Sequence, residues 1–213
     1  MHVILSPPAA TIFVGSMLLF GLQPLLGRTL LPSFGGTAAV WTVCLAAYQT
    51  LLLAGYFYAH AIRRRPLRSQ RRAHLALLGL AVLWAAAFAR LRPLLARWIG
   101  NSGAPALEVL LCVLVFIGLP YVLLSANSTL VQSWLARDGQ RDRGVYRLYA
   151  VSNLGSFAGL LLYPFVLEPY LSLSTQWWGF TACLGGYALL LHAMSRGLSD
   201  EGNGGRLGEP ALP

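Results

Sequence analysis

Apolar runs of membrane-spanning length recur along this chain, separated by short polar stretches. A helix needs about 20 apolar residues to cross the hydrocarbon layer. On that measure the sequence predicts six spans, over residues 9–31, 38–62, 73–89, 106–135, 145–167 and 176–194. The third is short. The fourth is long, which requires tilt or a kink, and Pro120 inside it supplies one. The expected fold is an all-α, polytopic membrane helix bundle of about six transmembrane helices. It forms one domain over 1–195, followed by a disordered cytoplasmic tail over 196–213, where Gly and polar residues replace the apolar pattern. The first apolar run has no basic residue ahead of it and is too long for a signal peptide, so it reads as a retained span.

Polar residues inside such spans cost free energy unless they face another helix or a cavity. The first span carries Gln23-Pro24 and, a turn later, Gly27-Arg28. That pattern fits a kink with Arg28 reaching the outer headgroups, or a broken helix lining a ligand site. The second span places Thr42, Gln49 and Tyr56 at seven-residue intervals, nearly on one face, with His60 near the basic end. In the fourth, Ser125, Ser128 and Gln132 share a face and Asn127 lies away from it. In the fifth, Tyr146, Tyr149, Asn153, Ser156 and Tyr163 form one stripe. Gly155 and Gly159 make a GxxxG pair on the adjacent face, where small residues let another helix approach closely. The substrate-pathway candidates are therefore Gln23, Arg28, Gln49, Gln132, Tyr149, Asn153 and Ser156. The helix-packing candidates are Pro24, Pro120, Gly155 and Gly159. Six spans allow a three-plus-three symmetry, but residue matches do not show it.

Composition changes the picture in one respect. The chain is 56% hydrophobic and only 11% charged, whereas a soluble domain is roughly a quarter charged. All sixteen basic residues are arginines, and six of them fall within 63–72, between two apolar runs. Basic loops stay in the cytoplasm. Placing 63–72 inside puts twelve arginines inside and four outside, with both termini cytoplasmic. The net charge of +9 is then a matter of topology and lipid headgroups, and no nucleic-acid partner is expected. Trp98 and the Trp177-Trp178 pair fall at outer boundaries, where indole rings favour the headgroup layer. The stretch 91–103 reads as a surface helix or as a plain loop. Glu108 and Glu168 lie near the outer boundary, and pairing of either with Arg28 would close that side. Cys44, Cys112 and Cys183 each sit in an apolar run and read as small buried hydrophobes. No metal-ligand cluster, phosphate loop or catalytic motif occurs, so no cofactor, metal or enzymatic activity is expected.

The wording of these segments resembles the membrane part of bacterial fused major-facilitator/spermidine-synthase-like proteins. The resemblance is carried by Gln23-Pro24-Leu25-Leu26-Gly27-Arg28 with Leu31-Pro32, by Ala39-Val40-Trp41 and Gln49, and by Leu53-Ala54-Gly55-Tyr56 with Tyr58-Ala59-His60. It continues through Leu119-Pro120, Leu124-Ser125-Ala126, Leu130-Val131-Gln132 and Trp134. Leu148-Tyr149-Ala150, Ser152-Asn153-Leu154-Gly155-Ser156, Tyr163-Pro164 and Glu168-Pro169 complete it. It spans about residues 10 to 192. Members of that family continue into a soluble aminopropyltransferase-like domain, and this sequence ends at Pro213 without one. The resemblance implies a multi-pass protein of the bacterial inner (plasma) membrane. It also implies transporter-like action on a small polar or cationic, polyamine-like solute. Six spans would then need a homodimer or another partner to enclose a cavity. The alternative is a non-catalytic membrane scaffold that anchors a separately encoded soluble synthase-like partner.

Overall fold

The computed structural model describes residues 6–97, 99–100, 103–137 and 145–198. Trp98, the arginines of 138–144 and the tail from 199 onward lie outside the described residues. Six long helices and one short turn of helix account for almost everything described. They are α1 (Pro7–Phe34), α2 (Ala38–Ile62), α3 (Leu67–Leu95), α4 (Pro105–Arg137), α5 (Val145–Leu162), the short α6 (Glu168–Tyr170) and α7 (Leu173–Arg196). No strand occurs among the described residues. Five helical segments are long and apolar enough to cross a membrane, and the chain is a multi-pass membrane protein. In α7, Gln176, Thr181 and His192 dilute the apolar character. It nonetheless packs lengthwise against α1 and α3.

Local sequence explains where the helices exceed or depart from the apolar runs. The run 73–89 marks only the middle of α3. Arg, Leu, Gln and Ala are good helix formers, so the helix extends back to Leu67, with Pro66 at its N-cap. At the other end it continues to Leu95, so 91–95 is neither a surface helix nor a loop. The helix α1 runs unbroken through Pro24 and Pro32, and the broken-helix reading of Gln23-Pro24 does not hold. After α5, Tyr163–Leu167 forms a π-helical turn. Pro164 has no N–H to give the ladder there, and a widened turn is one way to pass it.

The helices make two layers. In the first, α2, α4, α1 and α5 lie side by side, in that order; in the second, α3 backs α4 and α7 backs α1, and the two touch each other. The most extensive contacts are α1 with α5 and α2 with α4. Both depend on glycine. A methyl group on Gly155 would collide with the Phe13 carbonyl, and one on Gly159 with the Met17 carbonyl. On the other pair, a methyl on Gly55 would come within 2.7 Å of the Val122 carbonyl oxygen.

This contact pattern maps onto itself when α1 exchanges with α4, α2 with α5 and α3 with α7. The helices α1 and α4 run antiparallel, since Thr11 meets Asn127 while Gln23 meets Tyr121. The helix arrangement is therefore that of an inverted repeat of three helices, the three-plus-three symmetry that residue matches alone did not show. Matching residues emerge once the helix pairs are known. Gln23, Leu26 and Arg28 correspond to Gln132, Leu135 and Arg137. Ala46, Gln49 and Ala54-Gly55 correspond to Ala150, Asn153 and Ala158-Gly159. Gln70 and Leu78-Gly79 correspond to Gln176 and Leu184-Gly185. Each helix pair has its own sequence offset because the connecting loops differ in length, which hides the repeat from a single-offset comparison.

Candidate functional site

The repeat organises the polar groups of the bundle. At the heart of the first layer, Gln23 of α1 donates from Nε2 to the Tyr121 hydroxyl of α4 at 2.8 Å. The Tyr48 hydroxyl of α2 donates to the Gln23 carbonyl at 3.2 Å. Tyr48 and Tyr121 stack with ring centroids 5.8 Å apart. This three-helix cluster lies next to Pro24 and Pro120, the interior prolines of the two equivalent helices. Tyr121→Phe keeps the stacking and removes the acceptor for Gln23. It should lower unfolding free energy by about 1 kcal/mol, measured by denaturant titration in mixed micelles. No change would mean that the Gln23 amide finds another partner without cost.

Gln49 and Asn153 occupy equivalent positions on α2 and α5, the two edges of the first layer. Both side chains are exposed, and neither makes a hydrogen bond among the described residues. Tyr149 is also exposed on α5 and Tyr56 on α2. Ser156 bonds back to the Ser152 carbonyl at 3.0 Å, and Gln132 donates to Ser128 Oγ at 2.9 Å. Both bonds stay within their own helix. Of the seven pathway candidates, only Gln23 enters the central cluster.

One further candidate, Arg28, belongs to a pair of loop clamps. Arg28 donates to the carbonyls of Glu168 and Leu171, at 3.1 and 3.4 Å. Its partners are thus backbone oxygens of the segment joining α5 to α7. Gln176 donates to the same segment, at the carbonyls of Leu167 (2.9 Å) and Leu171 (3.0 Å), and accepts from the Tyr163 hydroxyl at 2.9 Å. At the opposite end of the bundle, Arg137 donates to the carbonyls of Arg63 and Arg65. Gln70 donates to the same two carbonyls and accepts from Trp134 Nε1 at 2.9 Å. Each loop between a repeat's second and third helices is held by that repeat's own glutamine and by the other repeat's arginine. Glu108 instead accepts from the Gly100 N–H at 2.6 Å.

Several side chains sit where the sequence did not put them. Trp177 is buried between helices and not turned outward: it packs edge-on to Phe88 with centroids 4.6 Å apart and donates to Thr29 Oγ1 at 3.0 Å. Cys44 and Cys112 are buried, but Cys183 is exposed. It lines an apolar lateral cleft of about 200 Å³ between α1, α5 and α7, with Gly21, Gly159 and Phe180. The sequence reading also passed over His74. It is wholly buried, its Nδ1 lies 3.0 Å from the Tyr58 hydroxyl, and its Nε2 has no partner. Asn127 donates to the Thr11 carbonyl at 3.1 Å, while its Oδ1 and the buried Tyr187 hydroxyl have no partner. A histidine just past an arginine run looks like an interface residue. His74 is the second residue of the run 73–89, and the backward extension of α3 to Leu67 moves it from the helix end to the third turn, where it is buried. No group of three or more metal-ligating side chains forms among the described residues.

No family model, curated protein or solved structure matches this chain. The resemblance to the membrane part of fused major-facilitator/spermidine-synthase-like proteins therefore rests on the residues that carry it.

Proposed function

We propose that the chain is one half of a transporter-like assembly. Two copies face each other across the layer formed by α2, α4, α1 and α5 and enclose a path for a small polar or cationic solute. The observation that supports this is the pair of exposed, unpartnered amides, Gln49 and Asn153, at equivalent places on the layer's two edges. An amide facing hydrocarbon is costly, and such residues ordinarily face protein or a water-filled cavity. A two-fold axis along the membrane normal sets α2 of one copy opposite α5 of its partner. Gln49 then meets Asn153 of the partner, and each amide supplies what the other lacks. Of the central cluster, Gln23 is the partly exposed member that can reach the enclosed space, with Tyr48 and Tyr121 buried beside it. No carboxylate is among the candidate path residues, so a cation would be met by amide and hydroxyl oxygens and by the faces of Tyr56 and Tyr149.

The test begins with native mass spectrometry of protein taken gently from its own membrane. A dimer carrying a small polar molecule is expected. A single copy bound to a soluble protein would favour the membrane anchor instead. Cross-linking then checks the geometry. With Cys183→Ala to remove the exposed thiol, Gln49→Cys with Asn153→Cys should give a disulfide-linked dimer in membranes. A monomer under oxidising conditions would rule out this packing. Asn153→Leu should abolish uptake of the identified solute and leave a folded bundle; unchanged uptake would remove Asn153 from the path.

A further inference from the structure

At the arginine-rich end of the bundle, the first turns of α3 and the last turns of α7 enclose a cavity of about 290 Å³. Arg68, Arg71, Arg72, His192 and Arg196 line it, with Leu75 as an apolar wall, and no carboxylate is among the described residues that line it. Arg71 is engaged with the carbonyls of Ser195 and Leu198 and ties the two helices together. Arg68, Arg72 and Arg196 are exposed around that tie. The start of α3 adds the positive dipole end of a long helix.

A cavity of this kind is not a by-product of the fold, because the inverted repeat contains the same groove twice. In the register set by Gln70 and Gln176, Arg71 corresponds to Trp177, Arg72 to Trp178 and Arg68 to Ser174. At the far end of the α3–α7 pair, the Trp177 indole crosses to Phe88 and fills the groove. At the arginine-rich end the equivalent side chain is Arg71, the groove stays open, and its rim is cationic. The two grooves share one architecture and differ in chemistry.

From this contrast we infer that the open groove binds the phosphate group of an anionic phospholipid. Several guanidinium groups converge on one small space, which suits a phosphate's oxygens. The groove lies at the ends of membrane-crossing helices, where headgroups are found. Leu75 offers an apolar wall beside the charges, suited to the lipid's glycerol and upper acyl carbons. Basic pockets between transmembrane helices on the positively charged side bind anionic headgroups in general. The inference does not depend on what the polar face of the first layer does.

The full chain in detergent, mixed with equal amounts of phosphatidylglycerol and phosphatidylcholine of the same acyl chains, supplies the test by native mass spectrometry. Phosphatidylglycerol adducts should dominate. Arg72→Gln combined with Arg196→Gln should weaken that preference about thirtyfold. Arg90→Gln should leave it unchanged, since Arg90 is the repeat counterpart of Arg196 at the filled end. If the double variant loses its helical circular dichroism, Arg72→Gln alone carries the test, with an expected loss of about fivefold. Equal retention of both lipids by the unmodified chain, or unchanged preference in the arginine variants, would overturn the assignment. Displacement of the lipid by millimolar inorganic phosphate would also overturn it, by making soluble phosphate the ligand.

Discussion

Gly155→Val combined with Gly159→Val is expected to abolish the folded bundle. The reason lies in what the added carbons would meet. A Cβ on Gly155 would run into the carbonyl of Phe13, with the Phe13 Cα at 3.2 Å. A Cβ on Gly159 would run into the carbonyl of Met17, with the Gly21 nitrogen at 3.1 Å. These are backbone atoms of a helix and cannot rotate aside, so α1 and α5 would have to separate along their most extensive contact. Without a hydrophobic drive between helices in lipid, that close packing is a principal source of association. Overpacking by a single methyl typically costs about 1–3 kcal/mol. Gly159→Ala should fall at the upper end of that range, and the double valine beyond what the bundle tolerates. Gly79→Ala and Gly185→Ala make the contrast, since nothing lies within 4 Å of a Cβ at either position. Both should be neutral or gain up to about 1 kcal/mol from helix propensity. Unfolding in mixed micelles, followed by circular dichroism, gives all four values. Equal behaviour of Gly159→Ala and Gly79→Ala would mean that the α1–α5 approach is not as close as described.

Gln70→Leu and Gln176→Leu should each cost about 2–3 kcal/mol, and the two costs should be similar. The substitution nearly preserves volume, so the loss is polar. Gln70 is wholly buried. Its removal leaves the Trp134 N–H without an acceptor and takes one donor from each of two loop carbonyls. Gln176 makes the corresponding set with Leu167, Leu171 and Tyr163. A buried group left without a partner costs about 1–3 kcal/mol. The arginine clamps limit the damage, because Arg137 and Arg28 still reach the same loops. Combining Gln70→Leu with Arg137→Gln should therefore cost more than the sum of the single losses. Simple additivity, or a cost below about 0.5 kcal/mol for either glutamine, would remove the clamps as stabilising devices.

Much of this fold was legible because hydrocarbon permits so few backbone solutions. Apolar length located all six long helices, and the all-α bundle follows from them. The boundaries were less legible where the signal changed from hydropathy to propensity, as at Arg68, Arg71 and Arg72. These look like loop residues by charge, yet they form the first turns of α3. The inward turn of Trp177 was missed for a related reason. Indole at the end of an apolar run usually means a headgroup boundary, but a position facing the equivalent groove of a second helix pair outweighs that preference. The site was less legible still. Gln23 could be singled out as a polar residue in a costly place, but its partner Tyr121 depends on which helices are neighbours. Asn127 was set aside because it lies off the Ser125–Gln132 face. Facing the α1 side of the bundle is what buries it and gives it the Thr11 carbonyl.

The crossed clamps bear on how the chain is inserted. An inverted repeat that needs an arginine at the end of its first helix must place one such arginine on each side of the membrane. Arg137 lies on the arginine-rich side and Arg28 on the other, and both are committed to holding loops. As orientation signals they cancel. What tips the balance is the set of arginines with no arginine counterpart in the other repeat, among them Arg68, Arg71 and Arg72, whose equivalents are Ser174, Trp177 and Trp178. With those three replaced, the sequence would still assign nine arginines to that side against four to the other, so the choice between two opposite ways up is spread over several loops and does not hang on one groove.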